Sequence, residues 1–216
     1  MPPRYLVRRA LFESSALLEA HTDVWARADS VAWGATPYTT RFRALWRDEA
    51  LYLRFDVSDH EPWHTMTTRD ARLWEEEVVE IFLDPAGRGV DYAELEISPA
   101  NVVCDLIVRR PWPNLDSDPA WHIGELATRV LPWRDPAAGS DGWTATARLP
   151  WNGLSPVTDP VKVPPQPSDV WRFNLFRIKR PGGPARPREN TILSAWAPTG
   201  GPSFHVPAVF GEMVFV

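Results

Sequence analysis

Alternation of apolar and charged residues, in two segments a short turn apart, constrains this chain more than any other feature. In Val78-Val79-Glu80-Ile81-Phe82-Leu83-Asp84, residues Val79, Ile81 and Leu83 share one face and Val78, Glu80 and Phe82 the other. A period of two is what a β-strand imposes. Tyr92-Ala93-Glu94-Leu95-Glu96-Ile97-Ser98 repeats it, with Ala93, Leu95 and Ile97 opposite Tyr92, Glu94, Glu96 and Ser98. Pro85 offers no ladder donor and Gly87 suits a turn, so residues 85–91 close a hairpin. Paired this way, Glu80 lies near Glu94 or Glu96 on a single face. Like charges side by side are unfavourable unless something compensates them, which marks that face as functional.

The same grammar runs along the chain. Residues 40–46 and 51–59 form a second hairpin about the polar turn 47–50, with Leu51, Leu53, Phe55 and Val57 on one face and Tyr52, Arg54 and Asp56 on the other. Arg54 is expected to neutralise the glutamates if the two hairpins are neighbours. Further strands are predicted over 102–108, 125–131, 143–149, 170–178, 191–196 and 211–216. In the fourth of these, Trp171, Phe173 and Leu175 oppose Arg172, Asn174 and Phe176. Between strands lie the turn 135–142, a polar excursion at 111–120, and proline-rich loops at 156–167 and 181–187. Residues 60–74 make a long irregular segment of the kind that is usually functional or disordered. Residues 4–33 give a weaker signal: a short helix over 14–20 capped by Ser14 or Ser15, then a turn at 29–34 into a short strand. Many short strands and little helix predict an all-β fold, an antiparallel β-sandwich of jelly-roll or immunoglobulin-like layout, as one domain over residues 1–216.

The net charge of −5 is mixed along the sequence, so the basic footprint of a nucleic-acid binder is missing. A single cysteine, Cys104, excludes an internal disulfide. The opening residues 1–19 carry Arg4, Arg8, Arg9 and Glu13 without an apolar core of signal-peptide length, and no later window is long enough to span a membrane. The expectation is a cytoplasmic protein unless a leader has been trimmed. Twelve tryptophans stand against three methionines. Indoles fill β cores, and beside polar groups in a cleft they stack on flat ligands.

Four segments in order, 40–59, 74–96, 171–177 and 194–211, carry a resemblance. They include Trp74 before the acidic strand, Trp171-Arg172-Phe173-Asn174-Leu175-Phe176-Arg177, Ser194-Ala195-Trp196, Phe204-His205-Val206-Pro207 and Phe210-Gly211. Together they resemble the family 9 carbohydrate-binding modules and their stand-alone, DOMON-like relatives. Residues 1–38 lie outside the matched part. The resemblance implies a β-sandwich that binds saccharide without catalysis, a chain end held between two tryptophans, with structural calcium nearby and association with a glycoside hydrolase. Trp74 and Trp196 are the candidates for that pair by position. A pyranose has an apolar face and a hydroxyl rim, so an aromatic platform needs polar groups at its edge. Glu80, Glu94, Glu96, Arg54, Asn174 and Arg177 offer them. Each also has a purely structural reading, the tryptophans as core, Asn174 as a backbone partner and Arg54 as a counter-charge.

Asp59, Asp70 and Glu77, with Glu75 and Glu76, surround the segment before the central strand and are the candidate calcium ligands, although their spacing is not that of an EF-hand. His60 and His64 are four apart but flank Pro62 and Trp63, which disfavours the helical zinc motif. Two alternatives belong to other classes. A b-type haem domain would draw axial ligands from Met66, Met213, His122 and His205. A glycosidase would use Glu80, Glu94 or Glu96 as acid and base.

Overall fold

The computed structural model describes residues 1–11, 18, 22–134, 139, 141–186 and 188–216. The helix expected over 14–20 lies, apart from Leu18, outside the described residues, as does much of the turn 135–142. The described strands are β1 (Arg4–Arg9), β2 (Val31–Trp33), β3 (Thr40–Trp46), β4 (Ala50–Ser58), β5 (Val78–Asp84), β6 (Tyr92–Ile97), β7 (Val103–Arg110), β8 (Asp116–Asp118), β9 (Ala127–Arg134), β10 (Asp141–Pro150), β11 (Val170–Lys179), β12 (Ile192–Ala195) and β13 (Gly211–Phe215). One short helix, α1 (Thr22–Trp25), and several single 3-10 turns complete the described elements. None of the described helices is long and apolar enough to cross a membrane.

The strands form two layers of an antiparallel β-sandwich joined by one shared strand. The first sheet runs β8-β7-β6-β5-β11-β13-β1, with β12 also on β11; the second runs β1-β3-β4-β10-β9, with β2 on β3. Strand β1 lies parallel to β13 through Arg4–Val7 and parallel to β3 through its last two residues, so it passes from one sheet to the other. Between the layers pack the inward residues that the alternation selects: Leu51, Leu53, Phe55 and Val57 of β4, Val79, Ile81 and Leu83 of β5, Phe173 and Leu175 of β11. Trp143, Trp151 and Trp171 fill the same core, and Trp171 meets Phe215 edge-on at 5.1 Å. Most of the tryptophan excess is therefore hydrophobic filling.

The outer face of the first sheet is also buried at its centre. Val78 and Phe82 of β5, Tyr92 of β6, Cys104 and Leu106 of β7, and Phe176 and Ile178 of β11 form a second apolar cluster with Leu73 and Phe210 from the loops. A sheet covered on both faces makes both sides of β5 apolar, which is why Glu80 is conspicuous in that strand.

Two expectations are corrected here. Arg54 does not neutralise the glutamates, because β4 pairs with β3 and β10 in the second sheet and never with β5 or β6. Its partner is Asp56 at 2.7 Å, which also receives Arg43 at 2.6 Å and Thr144 Oγ1 at 2.9 Å. Arg177 does not point outward either. It shares the parity of Phe173 and Leu175, so its guanidinium sits between the layers and reaches Asp59 at 2.7 Å.

Candidate functional site

Antiparallel pairing sets Glu80 opposite Glu96 and Phe82 opposite Glu94, so the three glutamates come together on the outer face of the first sheet. One carboxylate oxygen from each lies within 4.8 Å of the others. All three are buried, at 2%, 6% and 0% exposure for Glu80, Glu94 and Glu96. Burial disfavours the charged form, and each carboxyl raises its neighbour's affinity for a proton. Accordingly, Glu80 is pushed well above the usual carboxylate range by burial and by Glu94, and Glu96 by burial and by both neighbours. Glu94 is raised as well, chiefly by burial. The hairpin geometry inferred from the alternation thus gathers three buried carboxyls whose proton affinities are raised.

Above them opens a cleft of about 390 Å³. Glu80, Glu94, Leu106 and Ile178 line it from the sheet, Trp74 and Leu193 from neighbouring segments, and Phe204 and His205 from the loop before β13. Trp74 belongs to a 3-10 turn, Leu73–Glu75, anchored by the buried Leu73, and this leaves its indole 40% exposed. The Arg72 guanidinium lies over that ring at 5.7 Å. Phe204 stacks on Phe176 at 4.3 Å and His205 on Phe82 at 4.9 Å, so the loop is held by aromatic contact. The Nδ1 of His205 is 3.0 Å from the Tyr92 hydroxyl and its Nε2 is 4.0 Å from Glu94. Burial lowers the pKa of His205 to about 4, so the ring is neutral at pH 7. Beside the apolar rings, the carboxyls and the imidazole supply hydrogen-bonding groups.

Four of the predicted site residues gather here: Trp74, Glu80, Glu94 and Glu96. Trp196 does not line the cleft. It stands where β12 has ended, packs on Phe173 at 4.8 Å against the core between the layers, and its backbone N–H donates to Leu175. Asn174 is on the outer face, but its amide is taken by the backbone of Ala197, donating to the carbonyl at 2.9 Å and accepting from the N–H at 3.0 Å. Phe204 and His205 were reachable in sequence only as part of a resemblance, since loop residues have no periodicity to place them, and Leu193, in the predicted strand 191–196, carried no signal for the site.

The candidate calcium ligands Asp59, Glu77 and Asp70 do not come together. Asp59 accepts from Arg177 at 2.7 Å and from Lys179 at 2.8 Å, and Lys179 also reaches Glu77 at 2.7 Å. Two cations already occupy that pair. Asp70 lies elsewhere, within reach of Asp105 and His122. The residues offered for haem are likewise spread out, Met213 in the core, His122 beside Asp105 and His205 on the cleft.

Residues 18–97 match the carbohydrate family 9 binding domain-like family. The resemblance to the family 9 carbohydrate-binding modules is thereby shown, and it reaches into residues 18–38, which the sequence segments left outside. The matched stretch ends at the last residue of β6, so it contains Trp74 and all three glutamates but not the loop of Phe204. An "Extracellular protein" of Arthroderma benhamiae is 27% identical over 191 residues, 83% of this chain and 79% of that protein. Among solved structures, a presumptive carbohydrate-binding protein from Bacteroides uniformis superposes with a TM-score of 0.75 at 16% identity, covering all of both chains. A family 9 module from Caldicellulosiruptor kristjanssonii in complex with cellotriose gives 0.64 at 17% identity, covering 99% of this chain and 93% of that one. At such identities the likeness is one of fold.

Proposed function

We propose that this protein binds saccharide non-catalytically in the cleft, with a sugar ring stacked on Trp74. The observation that carries the reading is a half-exposed indole lining the same cleft as two buried glutamates. A pyranose presents an apolar C–H face to such a ring and hydroxyls to the carboxyls, and burial strengthens each of those hydrogen bonds. The family match and the cellotriose complex of a module with the same fold support the same class of ligand. Trp196 has no part in this reading; the second apolar surface is Phe204. The cleft is large enough for a monosaccharide or a chain end, and a partner glycoside hydrolase would then be localised by the module rather than assisted in chemistry.

Titration calorimetry with glucose, cellobiose and xylo-oligosaccharides tests this. Saturable heat with at least one sugar is expected, and Trp74→Ala should remove it while the circular dichroism spectrum is unchanged. Saturable heat that survives Trp74→Ala would remove the cleft from the reading, and no heat with any sugar would end it.

A further inference from the structure

The cleft is more apolar than the stacking of one sugar ring requires. Ten large apolar side chains stand exposed among the described residues, and three of them, Trp74, Leu115 and Leu193, line this one cleft. Leu115 is 50% exposed and Leu193 48%, so both hold apolar surface in water beside a buried polar floor. Strand pairing explains the layout. Ile178 on β11 is opposite Leu193 on β12, and Leu106 on β7 is opposite Glu94 on β6. Along the sheet order β7-β6-β5-β11-β12 the lining therefore reads Leu106, Glu94, Glu80, Ile178, Leu193. The carboxyls are in the middle and aliphatic side chains stand at both ends. Leu115, just before β8, extends the β7 end. Neighbouring strands lie about 4.8 Å apart, so this row of five strands spans roughly 19 Å, well beyond one pyranose ring.

We propose that the cleft takes an amphiphilic glycoside, a sugar bearing an apolar alkyl or aryl group, in preference to the same sugar without that group. The inference rests on the saccharide reading: the ring stacks on Trp74 above the carboxyls, and the apolar group lies along an aliphatic end of the row. Hydroxyls laid against Leu106, Leu115 or Leu193 would lose water and gain little, because a polar group that leaves water needs a replacement hydrogen bond. Beyond the carboxyls and His205, Ser117 and Ser203 are the other polar side chains in the lining. An alkyl chain or aromatic ring in the same place removes apolar surface from water on both partners, and each fully buried methylene contributes up to about fourfold in affinity. Exposed aliphatic side chains rimming a polar site are the surface such a substituent covers.

The test compares glycosides that differ only in the substituent. The protein is titrated calorimetrically with methyl and hexyl β-D-glucosides and with methyl and hexyl β-D-xylosides, all below the concentration at which the hexyl compounds form micelles. For at least one sugar the hexyl glycoside should bind one saturable site at least about tenfold more tightly than the methyl glycoside, and excess methyl glycoside should displace it. In the double variant Leu115→Ser with Leu193→Ser, whose replaced side chains are exposed and whose circular dichroism should stay native, the ratio of the two affinities should fall to within about twofold. Methyl and hexyl glycosides of equal affinity in the wild-type protein would overturn the inference and leave the saccharide reading standing. A hexyl advantage that survives in the double variant, or hexyl heat that methyl glycoside does not displace, would overturn it too, by placing the alkyl group outside the cleft. No heat with any of the four would end both.

Discussion

Asp59 shows how a single side chain orders one end of the core. It is 1% exposed and holds both Arg177 and Lys179, which keep its carboxyl below the usual range despite burial. Asp59→Asn would leave two buried cations facing Glu77 alone, and breaking a buried pair costs about 3–5 kcal/mol. Urea unfolding should show that loss as a lower midpoint with an unchanged slope. Glu77 beside it carries the opposite signature: burial and the Asp59 charge raise its pKa to about 7 despite Lys179. Below about pH 4.5 Glu77 is protonated in both folded and unfolded chains. As pH rises from there to about 7, the unfolded chain releases its proton first, so this group's contribution to stability is lost over that window, by at most roughly 3 kcal/mol. Melting curves from pH 4.5 to 7.5 should therefore fall less steeply for Glu77→Gln than for wild type. Trp196 makes a third case, because its ring meets Phe173 inside the molecule. Trp196→Ala should cost about 3 kcal/mol as a large-to-small change and leave saccharide heat intact. An unchanged Tm together with lost sugar binding would return Trp196 to the site.

Among the elements, strands with one clean alternation were legible and strands defined by their partners were not. Thr40–Trp46 and Val78–Asp84 carry their own signal, whereas β1 has only Tyr5 and Val7 as inward residues between arginines, and β8 is the three-residue Asp116–Asp118. Strand β1 still matters most to the architecture, since both sheets pair with it. Its Tyr5 hydroxyl accepts from the Ala44 N–H at 2.6 Å and donates to the Asp29 carbonyl at 2.7 Å, tying β1 to β3 and to the loop before β2. Val7 is fully buried. Val7→Asp would place an unpaired carboxylate in the core, and unfolding at room temperature is the expected result, read by loss of the near-ultraviolet tryptophan signal. A conservative Val7→Ala should instead cost only about 1–3 kcal/mol.

At the scale of the whole molecule, a shared strand and one core between the layers predict a single cooperative unit. Unfolding followed by tryptophan fluorescence and by far-ultraviolet circular dichroism should coincide in urea, and separate midpoints would mean that the sheets unfold independently. Sequence alone determined the fold class, the central hairpin, and the meeting of Glu80, Glu94 and Glu96 on one face, because the period of two and a short turn fix which side chains are neighbours. It also singled out Trp74, through a resemblance that the residue 18–97 match supports. Only the tertiary structure decided that Arg54 serves the second sheet, that Arg177 turns inward to Asp59, and that Trp196 packs on Phe173 instead of facing the cleft. Alternation says which residues share a face, but it does not say which strand lies alongside or which face a neighbouring layer covers. Those depend on contacts between residues distant in the chain, such as Asp59 with Arg177 and Phe176 with Phe204.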